Sequence, residues 1–281
     1  MSSEMSLKDH IAAAIAKPGI QLPVFNPVAL ELQHLMQNKD VSNASIEATI
    51  QRDPALTVQV LRMANSSLYT GLTEITTLRQ ALMRVGSKQV MRLALAAAQL
   101  SLYQSNHPVC RRHMGDMWRA ATACATGAAW LVEKSGHGAL SEQAYMAGLL
   151  HDVGKLVILR VIEDLANDPR QGKPIPDAVI SEMLDALHCE YGCDLLRRWN
   201  LPEQYCLVGH DHHAEPCNTG NVLMVAVRLI DQICRKLGIG CEPEPDLMPA
   251  ASEEAAALRL SEVMLADLEV TLEDLMGLQS D

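Results

Sequence analysis

The sequence predicts an all-α fold with more than ten helices, and three observations favour it. Leu, Ala, Met, Val and Ile must form most of the core, because the chain has only one Phe, five Tyr and three Trp. A sandwich or barrel would need more aromatic and β-branched residues. The chain shows no convincing strand pattern, and capping residues or glycine and proline breaks separate its apolar segments.

Each helix predicted in the N-terminal half begins beside a residue that can cap it. The predicted caps are Asn26, Ser42 or Asn43, Asp53, Thr77 and Ser87. The corresponding helices are expected at 27–36, from 43, at 54–63, at 78–85 and from 87 to about 103. A short amphipathic helix is expected before them in 1–16. Gly86 is expected to end the helix at 78–85, since glycine suits the position after a helix.

Longer helices are predicted beyond a polar boundary at 104–109. They are expected at 111–134, 141–162, 180–199, 201–213 and 221–237. Three prolines mark 242–249 as a linker, and two helices at 252–265 and 271–278 end the chain. We therefore divide the chain into an N-terminal helical half at 17–103, a second helical half at 111–241 and an acidic helical tail at 242–281.

The charge of the chain is concentrated in this tail. The net charge is −11, and residues 242–281 hold 11 acidic residues but one basic residue, Arg259. The acidic balance argues against general nucleic-acid binding. Two interpretations of the tail remain open, which are a solvated helix face and an acidic docking surface.

The eight cysteines are scattered and form no CxxC pair, as is typical of a reduced cytosolic protein. The first 20 residues lack the basic start and apolar core of a signal peptide. No apolar stretch reaches the length of a membrane span. We therefore expect a cytoplasmic protein that does not enter a membrane.

The sequence His151-Asp152-Val153-Gly154-Lys155 lies between two apolar runs, where polar side chains are costly to bury without partners. Imidazole and carboxylate are metal ligands. Adjacent helix positions diverge by about 100°, so a shared ion requires a cleft and further ligands from other helices. The candidates for these ligands are His188, His210, Asp211, His212, His213 and Asp231.

A purely structural interpretation of the same residues stays open. His151 and Asp152 can instead form a buried hydrogen-bonded pair that fixes helix packing, and the histidines of 210–213 can form an exposed cluster where a helix ends. Lys155 is a candidate for binding a phosphate, and thus a catalytic candidate. The alternative is that Lys155 pairs with Asp152 three residues before it.

The segment from Ala147 to Lys155 resembles the central motif of the HD phosphohydrolase superfamily. Other segments resemble, more specifically, the HDOD family, the HD-related output domains of bacterial signalling. These segments are Leu22-Pro23, Arg52–Leu56, Leu61–Ser66, Gln80–Gly86 and His188–Pro202, followed by His212-His213. The resemblance covers about residues 17–215 and extends loosely to about 240.

The resemblance implies an all-α fold and a role in signal transduction. Catalytic HD enzymes hold metal with a histidine from an earlier helix, the HD pair and a later aspartate. In this chain the early position falls on Ala120, and Asp231 matches the late aspartate. His113 lies seven residues before Ala120 and would replace it only in a different register. The first histidine is therefore expected to be missing.

The later histidines resemble a different branch of the superfamily. His188, His212 and His213 are similar to the additional histidines of HD-GYP proteins, which cleave cyclic di-nucleotides at multi-metal centres. The Gly-Tyr-Pro element is absent after His213, where the chain continues Ala214-Glu215-Pro216. The resemblance thus implies a partial site for Fe, Mn, Zn or Mg. Its expected ligands are His151, Asp152, His188, His212, His213 and Asp231.

These observations lead to three functional hypotheses. The first is a regulatory or output module of bacterial signalling, which binds a protein partner in trans or a small signal without hydrolysing a substrate. The second is a metal-dependent phosphohydrolase that acts on a nucleotide or cyclic di-nucleotide, in which the metal lowers the pKa of a bound water. The third is a sensor that binds a nucleotide in the same cleft without turnover.

Overall fold

The computed structural model describes residues 11–13, 15, 22–36, 38, 40–66, 74–167 and 175–277. Over these ranges the regular structure is entirely helical, so the predicted all-α class is confirmed. The α-helices are α1 (Pro27–Met36), α2 (Asn43–Gln51), α3 (Pro54–Ala64), α4 (Leu78–Arg84), α5 (Ser87–Gln99), α6 (Pro108–Lys134), α7 (Ser141–Leu150), α8 (Gly154–Ala166), α9 (Asp177–Arg198), α10 (Glu203–Asp211), α11 (Val222–Leu237), α12 (Glu253–Ala257) and α13 (Glu262–Gly277). Short 3₁₀ helices lie at Leu100–Tyr103, Gly138–Leu140 and Pro249–Ala251, and residues 11–13 and 15 are also helical. Residues 1–10, where most of the first helix was predicted, lie outside the described residues. So do residues 17–21, where the N-terminal half was predicted to start.

Most predicted caps of the N-terminal half are present. The side chains of Asn26, Ser42 and Asp53 accept hydrogen bonds from the first turns of α1, α2 and α3 at 2.8, 3.1 and 3.0 Å. Thr77 forms a reciprocal capping box with Gln80 at the start of α4. Each bond satisfies a backbone N–H that the helix itself leaves without a partner.

The predicted cap at Ser87 is wrong. Ser87 is the first residue of α5, the cap position belongs to Gly86, and no side chain caps this helix. Gly86 has a φ of +92°, a conformation that favours glycine, and it therefore separates α4 from α5. This helix was predicted to reach about Tyr103, but α5 ends at Gln99, because the chain then tightens into a 3₁₀ turn.

The predicted single helix at 141–162 is divided in two. α7 ends at Leu150 and α8 begins at Gly154, so His151 and Asp152 lie on the turn between them. The reason is a close crossing of α8 and α9. A Cβ atom on Gly154 would lie 1.9 Å from the carbonyl oxygen of His188 and 2.5 Å from the backbone nitrogen of Gly192. This turn allows two neighbouring side chains to face one cavity.

The tail also departs from the predicted pattern. A helix was predicted at 252–265, but α12 covers only Glu253–Ala257. The backbone then turns at Arg259, whose φ is +54°. α13 then runs continuously through 266–270, which was expected to separate two helices. The Ser252 side chain caps α12 through the backbone N–H of Ala255 at 3.1 Å.

α6 is the central helix of the second half. It packs against α7 and α11, and the tail helix α13 packs on it as well, while α8, α9 and α10 pack in sequence beside them. In the N-terminal half, α1 and α3 pack on α5. The Trp199 indole donates a hydrogen bond of 2.9 Å to the carbonyl of Pro23, and its ring lies 5.0 Å from Phe25, so these two parts of the chain are in contact.

The division into 17–103, 111–241 and 242–281 stays a prediction. None of the helices in the described part of the chain is both long and apolar enough to cross a membrane.

Candidate metal centre

Four side chains from three places in the fold converge below the surface. His151 and Asp152 come from the α7–α8 turn, His188 from α9 and His212 from the residue that follows α10. The three imidazoles are each at most 3% exposed. The Nε2 atoms of His188 and His212 are 3.3 Å apart, and they lie 3.3 and 3.5 Å from the same oxygen of Asp152, Oδ1.

The backbone fixes the orientation of all three rings. The Nδ1 of His151 lies 2.8 Å from the carbonyl of Gly148, and that of His188 lies 2.8 Å from the carbonyl of Leu184. The Nδ1 of His212 lies 3.1 Å from the carbonyl of Val208. Since a carbonyl only accepts, each Nδ1 carries the hydrogen. In the neutral rings each Nε2 is then a lone pair, as in metal-ligating histidines.

Asp152 is ionised in this environment, and its two oxygens differ. Burial opposes ionisation, but the Lys155 ammonium and the neighbouring imidazoles hold the pKa of Asp152 well below its ordinary value. Oδ2 accepts a hydrogen bond of 2.6 Å from the Nζ of Lys155. Oδ1 is buried and has no hydrogen-bond donor among the described residues. The predicted pairing of Lys155 with Asp152 is therefore present.

This donor set fits a divalent cation. An unpaired carboxylate oxygen and two imidazole lone pairs face one another at contact distance, an arrangement that is costly without a positive charge between them. His151 joins the set, because its ligand atom lies within 4.8 Å of those of Asp152 and His212. Burial lowers the pKa of His151 and of His188, which keeps both rings neutral and able to bind metal. Mixed imidazole and carboxylate ligands suit Zn, Mn or Fe better than Mg, which prefers oxygen.

Two further predicted residues border this cluster. The His213 ring lies 4.1 Å from that of His212 and 5.2 Å from that of His188, at the more exposed edge of the cluster. Desolvation by the surrounding protein and the neighbouring imidazoles lower the pKa of His213 to about 3. Asp231 of α11 lines the adjacent cavity, and no hydrogen bond or ion pair to its side chain occurs within the described ranges.

Other candidates lie elsewhere. His210 is exposed and pairs with Asp211 at 2.6 Å, so neither residue joins the cluster. His113 pairs with Asp177 at 2.8 Å and is not one of the residues of this cluster.

A cavity of about 470 Å³ opens beside the cluster, and Ala120 is one of its lining residues. The turn after α11 packs directly on this alanine. A Cβ atom on Gly240 would lie 2.8 Å from the Cβ of Ala120 and 2.5 Å from the carbonyl oxygen of Asp116. A histidine at position 120 would therefore have to displace this turn.

Cysteines near the cluster were not predicted as part of a site. The Sγ of Cys189 lies 3.4 Å from the Nε2 of His188, and Cys234 and Cys241 line the cavity. Burial raises the pKa of the Cys189 thiol to about 11, and its Sγ lies within 4.8 Å of the ligand atoms of His188 and His212. The position of Cys189 next to His188 in the sequence is the feature that could have indicated its place at the cluster.

The match to a family model decides the family. The model of the HDOD domain matches residues 22–215, which is most of the chain. The chain belongs to the HDOD family. Its resemblance to this family, stated above from the motifs, is thereby confirmed.

The chain is also similar to individual proteins. A 210-residue segment is 28% identical to an uncharacterized protein of Treponema pallidum (strain Nichols) and covers 73% of this chain but 40% of that protein. The fold resembles a Geobacter sulfurreducens HDOD domain protein of unknown function, with a TM-score of 0.74, 22% identity and 95% of each chain covered. It also resembles a structure from Marinobacter aquaeolei VT8 described as a "Putative signal transduction protein", with a TM-score of 0.68 and 22% identity. That match covers 98% of this chain and 66% of the other.

Proposed function

We propose that this chain is a non-hydrolytic regulatory module of signal transduction, in which the cluster of His151, Asp152, His188 and His212 holds one divalent cation. The observation that carries the proposal is Ala120. The resemblance to HD enzymes assigns it the position of their first histidine, it lines the cavity, and the turn at Gly240 packs against it. A hydrolytic centre needs enough ligands to hold its metal and an open position for activated water.

Lys155 supports the same proposal. Its ammonium donates a hydrogen bond to Oδ2 of Asp152, which leaves Oδ1 as the carboxylate oxygen that faces the imidazoles without a donor. A single cation beside Oδ1 would satisfy this oxygen while the Lys155 contact stays intact. These contacts therefore favour one ion at the cluster.

The bound cation would act mainly on the fold. It would neutralise the charge of Asp152 and join the α7–α8 turn, α9 and the end of α10 at one point. Such an ion contributes to folding free energy, because the unfolded chain has no preformed site. The chain's own residues orient the ligands, since each ring is fixed by a backbone carbonyl.

The output we propose is contact with a signalling protein in trans. The relative named as a signal transduction protein supports the general role. α13 offers a surface, because Val263 and Val270 are 78% and 57% exposed on the acidic tail and lie two helical turns apart. A partner with a basic surface fits this chemistry.

Hydrolysis is tested directly with the purified full chain loaded with Mn²⁺ or Fe²⁺. Bis-p-nitrophenyl phosphate and cyclic di-GMP serve as substrates, and His151→Ala is the matched variant. We expect turnover of the wild-type chain to equal that of His151→Ala. Metal-dependent turnover that disappears in a folded His151→Ala variant would establish the phosphohydrolase instead.

A further inference from the structure

A second and larger cavity lies on the other side of α6. It has a volume of about 690 Å³, within the range of small-molecule sites. One wall is a face of α6 that includes Arg111, Gly115, Arg119 and Thr122, and the facing walls come from α3 and α5. None of the metal-cluster residues lines it.

We propose that this cavity, here called the interlobe cavity, binds a small organic phosphate of nucleotide size. Its lining includes four arginines, Arg62, Arg111, Arg112 and Arg119, but a single acidic residue, Asp116. This positive balance occurs in a chain whose net charge is −11. A concave surface of one sign concentrates ligands of the opposite sign, and guanidinium groups match phosphate oxygens in geometry.

Two of the arginines are available to an anion. The Arg62 guanidinium has no ion pair or hydrogen bond with any other described residue, although it sits at the cavity wall. Arg111 is held in place, because its Nε and Nη2 donate to the carbonyls of Ser105 and Asn106 at 3.0 Å each. Its fixed guanidinium therefore loses little conformational entropy when it binds a ligand.

The other two arginines are already paired within the protein. Arg112 forms an ion pair with Asp177, and Arg119 forms one with Asp116. Arg62 and Arg111 therefore carry the argument for phosphate.

Gly115 makes the floor of this cavity accessible. It lies inside α6, about two turns after the helix begins, where glycine weakens a helix relative to alanine. A Cβ atom on Gly115 would meet no other atom within 4 Å, so close packing of the protein does not require this glycine. Arg111 and Arg119 lie one turn before and after it. A bare backbone between two guanidinium groups allows close approach of a ligand.

Trp118 and Gln59 supply the surface for a base. The Trp118 ring packs at 5.3 Å against Tyr103 and also lines the cavity. Aromatic side chains stack on bases, and the amide of Gln59 on the facing wall offers both donors and an acceptor. A nucleotide combines the phosphate and the planar base that this lining matches.

Isothermal titration of the full chain with guanosine 5′-monophosphate tests the proposal, with ribose 5-phosphate and inorganic phosphate as comparison probes. We expect the nucleotide to bind more tightly than either probe. Arg62→Ala should weaken this binding about tenfold, the loss of one charge-assisted contact. Gly115→Phe should abolish it, because the new side chain projects into the open space. Arg79→Ala, which removes an exposed arginine outside the cavity, should leave the binding unchanged.

The outcomes separate the alternatives. If no probe binds, or if Gly115→Phe and Arg62→Ala bind the nucleotide as the wild type does, the proposal is overturned. Equal binding of all three probes overturns the nucleotide assignment. Binding that is lost in His188→Ala but retained in Gly115→Phe places the nucleotide in the other cavity and also overturns it. If Gly115→Phe does not fold, Arg62→Ala and Arg62→Glu supply the same comparison.

Discussion

The Nε2 atoms of His188 and His212 lie 3.3 Å apart, although each ring already donates its Nδ1 hydrogen to a backbone carbonyl. Two lone pairs at this distance call for a shared cation. We therefore expect the purified chain to lose thermal stability when a chelator removes its metal. At a free metal concentration of a hundred times Kd, bound metal contributes about 2.7 kcal/mol.

The measurement is the shift in Tm on adding EDTA, with His212→Ala as the matched variant. The wild-type Tm should fall by several degrees, and that of His212→Ala should change little. Equal shifts for both proteins would show that the chelated ion is bound elsewhere.

Replacing Lys155 should destabilise the fold. Lys155→Met removes the ammonium that lies 2.6 Å from Asp152 and leaves a buried carboxylate without its closest positive partner. Breaking a buried pair in this way costs about 3 kcal/mol. Urea unfolding should show this loss in Lys155→Met and a smaller one in Lys155→Arg. An unchanged free energy of unfolding in Lys155→Met would contradict a structural role for the pair.

Two glycines should respond to alanine in opposite directions. A Cβ atom on Gly154 would lie 1.9 Å from the carbonyl of His188, so Gly154→Ala should push α8 from α9, lowering both stability and metal content. Gly115→Ala meets open space within α6 and should stabilise the protein by about 0.5–1 kcal/mol. Thermal unfolding of the two variants measures the contrast, and similar Tm values for both would contradict the close crossing of α8 and α9.

Acid should destabilise the contact between α11 and α12. Glu254 is 2% exposed, and burial would raise its pKa, but hydrogen bonds from Arg228 and Gln232 lower it below the ordinary 4.5. Because the folded-state pKa is the lower one, this contribution is present above pH 4.5 and is lost as the pH falls through the folded-state pKa.

Urea unfolding between pH 6 and 3 measures this dependence. Glu254→Gln should lose less stability across the range than the wild type. Glu253→Gln, which changes the exposed neighbouring residue, should follow the wild type. If Glu254→Gln and wild type show the same slope, the Arg228 contact at 2.6 Å does not contribute to stability.

The sequence predicted local features better than distant ones. The caps at Asn26, Asp53 and Thr77 depend on residues within a few positions, and each is present. The break at 151–153 was not predicted, because apolar residues continue at helical spacing on both sides of it. Its cause is the contact of Gly154 with α9, more than thirty residues away in the sequence.

The candidate site follows the same division. The motifs indicated His151, Asp152, His188 and His212, which the fold brings together, and Ala120, which lines the cavity. Spacing alone left both His210 and His212 as candidates, and the resemblance to HD-GYP proteins selected His212 and His213. The interlobe cavity was not predicted, because Arg62 of α3 and Arg111 of α6 are far apart in the sequence and line one cavity only in the folded chain.

The number of metal ions per chain tests the central claim most directly. Native mass spectrometry of the full chain, after loading with Mn²⁺, Fe²⁺ or Zn²⁺ and removal of excess ion, supplies this number. One ion per chain, absent from His188→Ala, is the result we predict from a single cluster whose Asp152 oxygen Oδ2 is held by Lys155. No bound ion, or two ions that both depend on His188, would contradict it.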